Sequence, residues 1–495
     1  MSIAGTEFTA TDRAAFSPAR WRRAWLGMDA NPVAISFAGT LPGVAVIHLV
    51  FFAAILAGGQ ISRAATAMVA ITLVGCALQP TRRLAIMAGA GLVYMSLRPF
   101  RSHQQSEFVE RMKPIGFEAA ELPSLAFQVP MVLLFLVLCT IALALQKRFP
   151  ASVCARRPVL AQFFAFFTLA AIGAFLSEGT LAHSILWTQL TILGASFFFL
   201  SYALADNRSR DDTPMLGRLG FLRPFWSGPS VPFKSPAFLK RFEANDPQAL
   251  AAVRLRALKL SIWALVLVAA HAALSHAFYE KAGLPTLDQA IVAVASGEDF
   301  TRGLGWGVVA KNFVLNILSF GAIAHTLVAI VRMAGFGIPR HMARPLSSRT
   351  IAEFWNRYVY YFKEVLVDFF FYPAFLRWFK KSPRLRIAFA TFCAAFVGNI
   401  LFSVVSQAHL LADGPAAMAT ALRSYSVYAL ALTLALIASQ LRNATPRPEH
   451  GMLRYHVLPR LNVLGFFALA QIFADESGTI GLEARTDFFL RLFGA

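Results

Sequence analysis

Charge is what this sequence has least of. Asp, Glu, Lys and Arg make up 15% of 495 residues, against about a quarter in an ordinary soluble domain. Apolar residues make up 57%. One core cannot enclose that much apolar surface, so a water-soluble enzyme is excluded and a polytopic membrane protein is indicated. Acid is the scarcer charge, 26 residues against 46 Lys and Arg, for a net +20. On a soluble chain that balance would point to nucleic acid. Here the cations cluster between apolar runs, at Arg82 and Arg83, Lys147 and Arg148, Arg156 and Arg157, and Lys380 to Arg386. That is the pattern of cytoplasmic loops and anionic-lipid contact, and there is no nucleic-acid module. The cysteines, Cys76, Cys139, Cys154 and Cys393, stand far apart. With no CxxC or Cys/His group, neither a disulfide framework nor a metal site is indicated. A Ser-His-Asp order, a Gly-rich phosphate loop, an internal repeat and strand alternation are also missing. The expected class is all-α.

What is present is a string of apolar runs. They cover residues 33–58, 64–78, 84–97, 122–145, 159–176, 181–205, 258–278, 306–334, 387–407, 425–441 and 458–473. At about 20 residues per crossing they predict roughly nine to eleven spans. Residues 1–32 read as a basic N-terminal segment lying on the inner leaflet, with Trp21 and Trp25 beside Arg20, Arg22 and Arg23. That flank carries no small-residue cleavage site, so the first run is expected to be a retained span. Residues 33–205 then form an N-terminal bundle, and 206–256 a basic cytoplasmic loop. Its Phe221, Phe225, Trp226, Phe233, Phe238 and Phe242 are expected in the headgroup layer. Residues 257–475 form the core and 476–495 a tail. The loop from Lys281 to Gly305, with Asp288, Glu298 and Asp299, is less basic and is assigned to the outer face.

One stretch, Val331 to Pro373, mixes dense charge with dense aromatic residues between spans. Charge at that depth is costly and calls for a reason. From Ile351 to Phe371 there is no Gly or Pro, which predicts a re-entrant or interfacial helix within 347–373, begun near Ser347 and stopped by Pro373. At 100° per residue, Glu353, Arg357, Tyr360, Glu364 and Asp368 fall on one stripe. Glu353 and Arg357 are an i,i+4 pair. The stripe faces a substrate cavity or, alternatively, water at the interface. Arg340, His341, Arg344 and Arg349 in the preceding loop suit a phosphate or lipid headgroup, or simply positive-inside topology. His325, inside an apolar span, is a functional candidate by position.

The same stretch resembles the membrane-bound O-acyltransferase family, especially its bacterial polysaccharide O-acetyltransferase branch. Arg332, Met333, Gly335, Phe336, Pro339, Arg344 and Pro345 match that branch. So do Ser348, Arg349, Ile351, Ala352, Glu353, Phe354, Trp355 and Arg357, with Asp368 and Pro373 in register after them. Upstream, Gly228 and Pro229 match a family loop, and the similarity runs from about Gly220 to Leu411. It implies a multi-pass protein of the bacterial inner membrane that moves an acyl group, acetyl being expected, to a hydroxyl of a glycan or lipid. Acyl-CoA or an acyl carrier would be the donor, with no cofactor bound permanently. Membrane lipids, a glycan or lipid acceptor, and a periplasmic or membrane protein would be its partners. Trp355 joins the stripe as a cavity-lining residue.

The chain departs from the family at three places. Tyr358 and Val359 replace its Trp-His, and Ala324 and His325 replace its Ser-Asp. Phe396 or Val397 stands where its best-known catalytic His falls, the general base toward the acceptor. His409 and His325 are the remaining catalytic candidates. His409 lies about three turns further on, roughly 18 Å at 1.5 Å per residue. The alternative is a catalytically degenerate relative that serves as a scaffold, a lipid-handling protein or a subunit of a membrane complex.

Overall fold

The computed structural model describes residues 22, 24–100, 125–209, 212–226, 234–298, 300–442, 449 and 451–494. Arg20, Trp21 and Arg23 of the N-terminal segment, Gly228, Pro229 and Phe233 of the basic loop, and Asp299 lie outside them. Nine helices among the described residues are long and apolar enough to cross a membrane: Leu41–Gly58, Ala126–Arg148, Pro158–Phe175, Leu181–Arg208, Pro247–Lys281, Arg302–Met333, Pro383–Ser406, Arg423–Leu441 and Leu453–Phe473. The protein is an all-α, multi-pass membrane protein. The runs at 64–78 and 84–97 form shorter apolar helices, Arg63–Leu78 and Arg83–Leu97.

Local chemistry sets the ends of these helices. The first expected span is two helices, Pro32–Gly39 and Leu41–Gly58. Thr40 separates them with extended backbone, and its side chain accepts the Gly43 N–H. Pro42 at the start of the second helix favours that break, because proline has no N–H to donate back to the preceding turn. Asp246 caps Pro247–Ser275 by accepting the Ala249 N–H at 2.7 Å. Helix Arg302–Met333 packs along Pro247–Ser275, and Leu41–Gly58 also packs against the latter.

Two aromatic cores fill the bundle. One gathers Phe51, Val328, Phe336 and Trp226. The other gathers Phe197, Phe198, Phe354, Phe362, Phe402 and Phe467. The basic loop differs from expectation here. Phe221, Phe225 and Trp226 are buried in protein, with Trp226 fully enclosed. Aromatic residues in a basic loop serve a core as readily as a headgroup layer. Residues 476–495, set apart as a tail, carry a helix, Leu482–Phe493, whose Phe488 and Leu492 pack on Leu287, Ile291 and Phe300.

Candidate functional site

The site is built on the loop after Met333. Gly335 takes φ +102°, a conformation that Gly adopts without strain. The turn lets Phe336 pair as an isolated antiparallel bridge with Glu243. The Ala244 N–H donates to Gly335 O at 3.0 Å, and the Gly337 N–H donates to Phe242 O at 2.7 Å. Arg83 locks this crossing. Its buried guanidinium donates to Ala244 O at 2.7 Å and to Glu243 Oε1 at 3.1 Å, and lies over the Phe336 ring. Arg332 donates twice to Ile338 O, at 2.9 and 2.6 Å. Three elements far apart in sequence are thereby held rigidly beneath the charged stretch.

The predicted continuous helix is broken. A 3-10 turn, Pro345–Ser347, comes first, and Thr350 rather than Ser347 caps the helix Ile351–Tyr358 by accepting the Glu353 N–H at 3.1 Å. The chain leaves helical geometry at Val359 (φ −130°, ψ 54°) and resumes at Tyr360–Leu366. His341 explains how the break is tolerated: its main-chain O accepts the Tyr360 N–H at 3.0 Å, and its Nδ1 accepts the Tyr361 N–H at 3.2 Å. The Tyr361 hydroxyl donates back to Pro339 O at 2.9 Å, and the two rings stack. Beyond the break, the helix widens to a π-turn at Val367–Phe371 and runs on through Pro373 to Arg377. Pro373 does not stop it, because the wide turn before it, closed by the Tyr372 N–H on Val367 O, accommodates a residue with no N–H to donate.

The break divides the stripe in two. Glu353 and Arg357 form the expected ion pair at 2.6 Å, with Glu353 Oε2 also accepting the Arg349 N–H. Arg357 also bonds Ser347 Oγ. The second half turns toward the basic loop. Lys234 Nζ sits 2.8 Å from Glu364 Oε2 and 2.8 Å from Asp368 Oδ2. Tyr202 Oη donates to the same Asp368 oxygen at 3.0 Å, and Lys363 pairs with Glu364. Tyr360 lies under the Lys363 ammonium. Burial pushes the Glu364 carboxyl up, but Lys234 and Lys363 outweigh it and hold the group below the ordinary carboxylate range. Burial likewise works against the Lys234 charge, and Asp368 and Glu364 outweigh it, raising the ammonium above its ordinary value. Trp355 is buried and, with Asn356 and Lys363, lines a cavity of about 180 Å³ that reaches Thr391 and Gln440.

The four loop residues separate as well. Arg340 and Arg344 are exposed. Arg349 lies over the Tyr455 ring at 3.9 Å. His341 is 1% exposed, packed against Phe320 and Tyr361. Because Nδ1 accepts, its proton is on Nε2. That Nε2–H is buried without a hydrogen-bond partner. Burial pushes the imidazole down to about 3, and His325 adds to the shift. The ring is therefore neutral at pH 7. His325, on the Arg302–Met333 helix, is within electrostatic reach of it, and its own Nδ1 is buried without a hydrogen bond. His409 is buried in a 3-10 segment, Ala408–Asp413, after Asn399–Ser406. The neighbouring Gln407 donates to Glu476 O, at the end of the bundle away from the Val331–Pro373 loop.

Sequence reasoning placed Glu353, Arg357, Glu364 and Asp368 on one face and missed Lys234, Tyr202 and Arg83. A Tyr near the end of an apolar span and a Lys flanked by Phe233 and Ser235 carry weak signals, and their partners are over a hundred residues away. No family model matches the chain, and no curated protein matches its sequence.

Proposed function

We propose that the chain is a membrane-bound O-acyltransferase-like protein of the bacterial cytoplasmic membrane, and that it moves an acyl group to a hydroxyl of a glycan or lipid. Acetyl is the expected group, and acyl-CoA or an acyl carrier is the donor. The observation that supports this reading is that buried His341 and half-buried His325 lie within electrostatic reach of one another, each with an unpartnered ring nitrogen. A neutral imidazole carries one N–H and one lone pair. His341, its tautomer fixed by Tyr361, offers Nε2–H to the thioester carbonyl oxygen as negative charge develops there. His325 takes the proton as the acceptor oxygen attacks the carbonyl carbon. The C–S bond breaks, and the departing thiolate takes the proton back from His325. The products are the ester and the free thiol. Arg340 and Arg344, exposed beside the site, suit the donor's phosphates.

A second reading has its own observation. At Cys393–Gly398, where the family's base would fall, the helix widens to a π-turn. Phe396 stacks on Phe392 at 5.3 Å, and Gly398 is packed against Leu366 and Phe370. Phe402 stacks on Phe198 at 5.1 Å. An aromatic plug at that place supports a catalytically degenerate relative that scaffolds a membrane complex or handles lipid.

Labelled acetyl-CoA given to purified protein in lipid separates the two. Acetyl transfer or hydrolysis that disappears in His325→Ala and persists in His409→Ala supports the first reading. Turnover unaffected by His325→Ala overturns the histidine pair. No turnover with any acceptor or with water supports the second.

A further inference from the structure

A sizeable apolar cavity lies outside the charged stretch. It occupies about 730 Å³ between the helices Leu125–Arg148, Pro158–Phe175 and Leu181–Arg208. That is within the roughly 300–1,000 Å³ of small-ligand pockets. Its walls are apolar, with Leu138, Leu145, Ala161, Ala165, Leu190 and Leu204 prominent. Three glutamines also border it, and the amides of two of them are engaged elsewhere on both sides. Gln146 donates to Leu204 O and accepts from Asn207, and Gln162 donates to Phe197 O and accepts from Ser201. Gln189 donates to Met131 O, and its Oε1 is left without a hydrogen-bond partner. What faces the space is therefore almost entirely hydrocarbon. Leu138, Leu145 and Leu169 are exposed along its rim, so it opens sideways, toward lipid.

One end of this groove is different. The connection at 149–158 closes it, with Phe149, Ser152, Cys154 and Pro158 in the lining. Lys147, Arg148, Arg156 and Arg157 surround that connection, and all four are exposed. Arg208, also exposed, is tied to the same place, because its Nη1 donates to Arg156 O at 2.8 Å. Half-buried Asp206 is an acidic residue of the same helix end. An apolar trough ending in five cations matches one chemistry: a hydrocarbon tail with an anionic head.

We infer that this groove holds an acyl chain of an anionic glycerophospholipid whose phosphate sits among Lys147, Arg148, Arg156, Arg157 and Arg208. The inference does not depend on the acyl-transfer reading. Basic residues at a membrane surface each contribute a factor of about five in attraction to anionic lipid, and the apolar trough supplies the rest.

The test uses full-length protein purified from membranes in mild detergent, with retained lipid extracted and quantified by mass spectrometry. Anionic phospholipid should be retained over phosphatidylcholine. The surface double variant Arg156→Gln/Arg157→Gln should fold normally and lose anionic lipid about fivefold per charge removed. Ala161→Phe with Ala165→Phe should exclude the tail and lower retention independently of charge. Phosphatidylglycerol vesicles should raise the unfolding temperature of the wild type more than phosphatidylcholine vesicles or inorganic phosphate. Equal retention by the Arg variant overturns the inference. So does an equal rise with phosphatidylcholine, or with phosphate alone.

Discussion

His341 Nδ1 accepts the main-chain N–H of Tyr361, twenty positions on, at 3.2 Å, and through that bond a loop residue holds open the helix break at Val359. An imidazole presents its two nitrogens in different directions, so the two can be tested apart. Asn places an amide oxygen near the Nδ1 position, whereas Ala leaves the Tyr361 N–H without an acceptor. An orphaned buried donor costs about 1–3 kcal/mol. Thermal unfolding in detergent should therefore rank wild type and His341→Asn close together, with His341→Ala several degrees lower. An Ala variant as stable as the wild type would show that the break does not need the ring.

Lys234 is the cation between Glu364 and Asp368, at 2.8 Å from each. Lys234→Met leaves two carboxylates facing one another in a half-buried place. Losing one partner of a fully buried pair costs about 3–5 kcal/mol, and the partial exposure of this cluster reduces that to about 1–3. Adding Glu364→Gln and Asp368→Asn to Lys234→Met should recover most of the loss. If the triple variant is no better than the single one, charge is not what the cluster contributes.

The same cluster predicts a pH profile. The Glu364 carboxyl is held below its ordinary value of 4.5, so its stabilisation is complete above 4.5 and is lost as pH falls toward the lowered folded value. The Lys234 ammonium is held above its ordinary value of 10.5, so its stabilisation is complete below 10.5 and is lost as pH rises through the raised folded value. Between those limits the cluster's contribution should be flat. Subtracting the unfolding profile of the triple variant from that of the wild type should leave a plateau that falls at both ends. A difference that peaks within the neutral range would contradict the assignment.

Gly335 and Arg83 make the loop crossing a point of high sensitivity. A Cβ on Gly335 would lie 2.0 Å from Arg83 Nη1 and 2.8 Å from Leu250, on a backbone at φ +102°. The strain alone is about 1–3 kcal/mol, and moving Arg83 also gives up its bonds to Ala244 and Glu243. Gly335→Ala should lower the unfolding temperature and speed tryptic cleavage at Lys240 or Arg241, as the 234–246 segment loses its anchor. Gly303→Ala, in a helix with open space around it, should do neither.

The spans were legible because a crossing must be long and apolar, and runs such as 159–176 and 425–441 recur almost unchanged as Pro158–Phe175 and Arg423–Leu441. Thr40 carried a local signal too, in the Pro that follows it. The break at Val359 carried none. No Gly or Pro marks it, and its cause is His341 in the preceding loop. The Glu353–Arg357 pair was legible because it is made within two turns. The Lys234, Tyr202 and Arg83 contacts were not, because each partner is set by how distant segments fold together. Aromatic residues in the basic loop were ambiguous in kind: a Phe buried at a headgroup layer and a Phe buried in a core read alike, and Trp226 proves to be core.

The acyl-transfer proposal makes the sharpest use of His341, because the nitrogen that acts is not the nitrogen that holds the fold. His341→Asn keeps an acceptor for Tyr361 but loses the Nε2–H. His341→Gln places its amide near the Nε2 position and loses the acceptor. On the proposed mechanism, Asn should be stable and slow, with kcat down about 10²–10³ as when an oxyanion donor is removed. Gln should be less stable yet retain more turnover per folded molecule. His325→Ala should cost about 10²–10⁴ in kcat, with a smaller effect on KM. Measuring kcat, KM and unfolding temperature on the same preparations gives the crossed pattern or does not. If stability and turnover fall together across all three variants, His341 is a positioning residue and the ring's second nitrogen has no part in the chemistry.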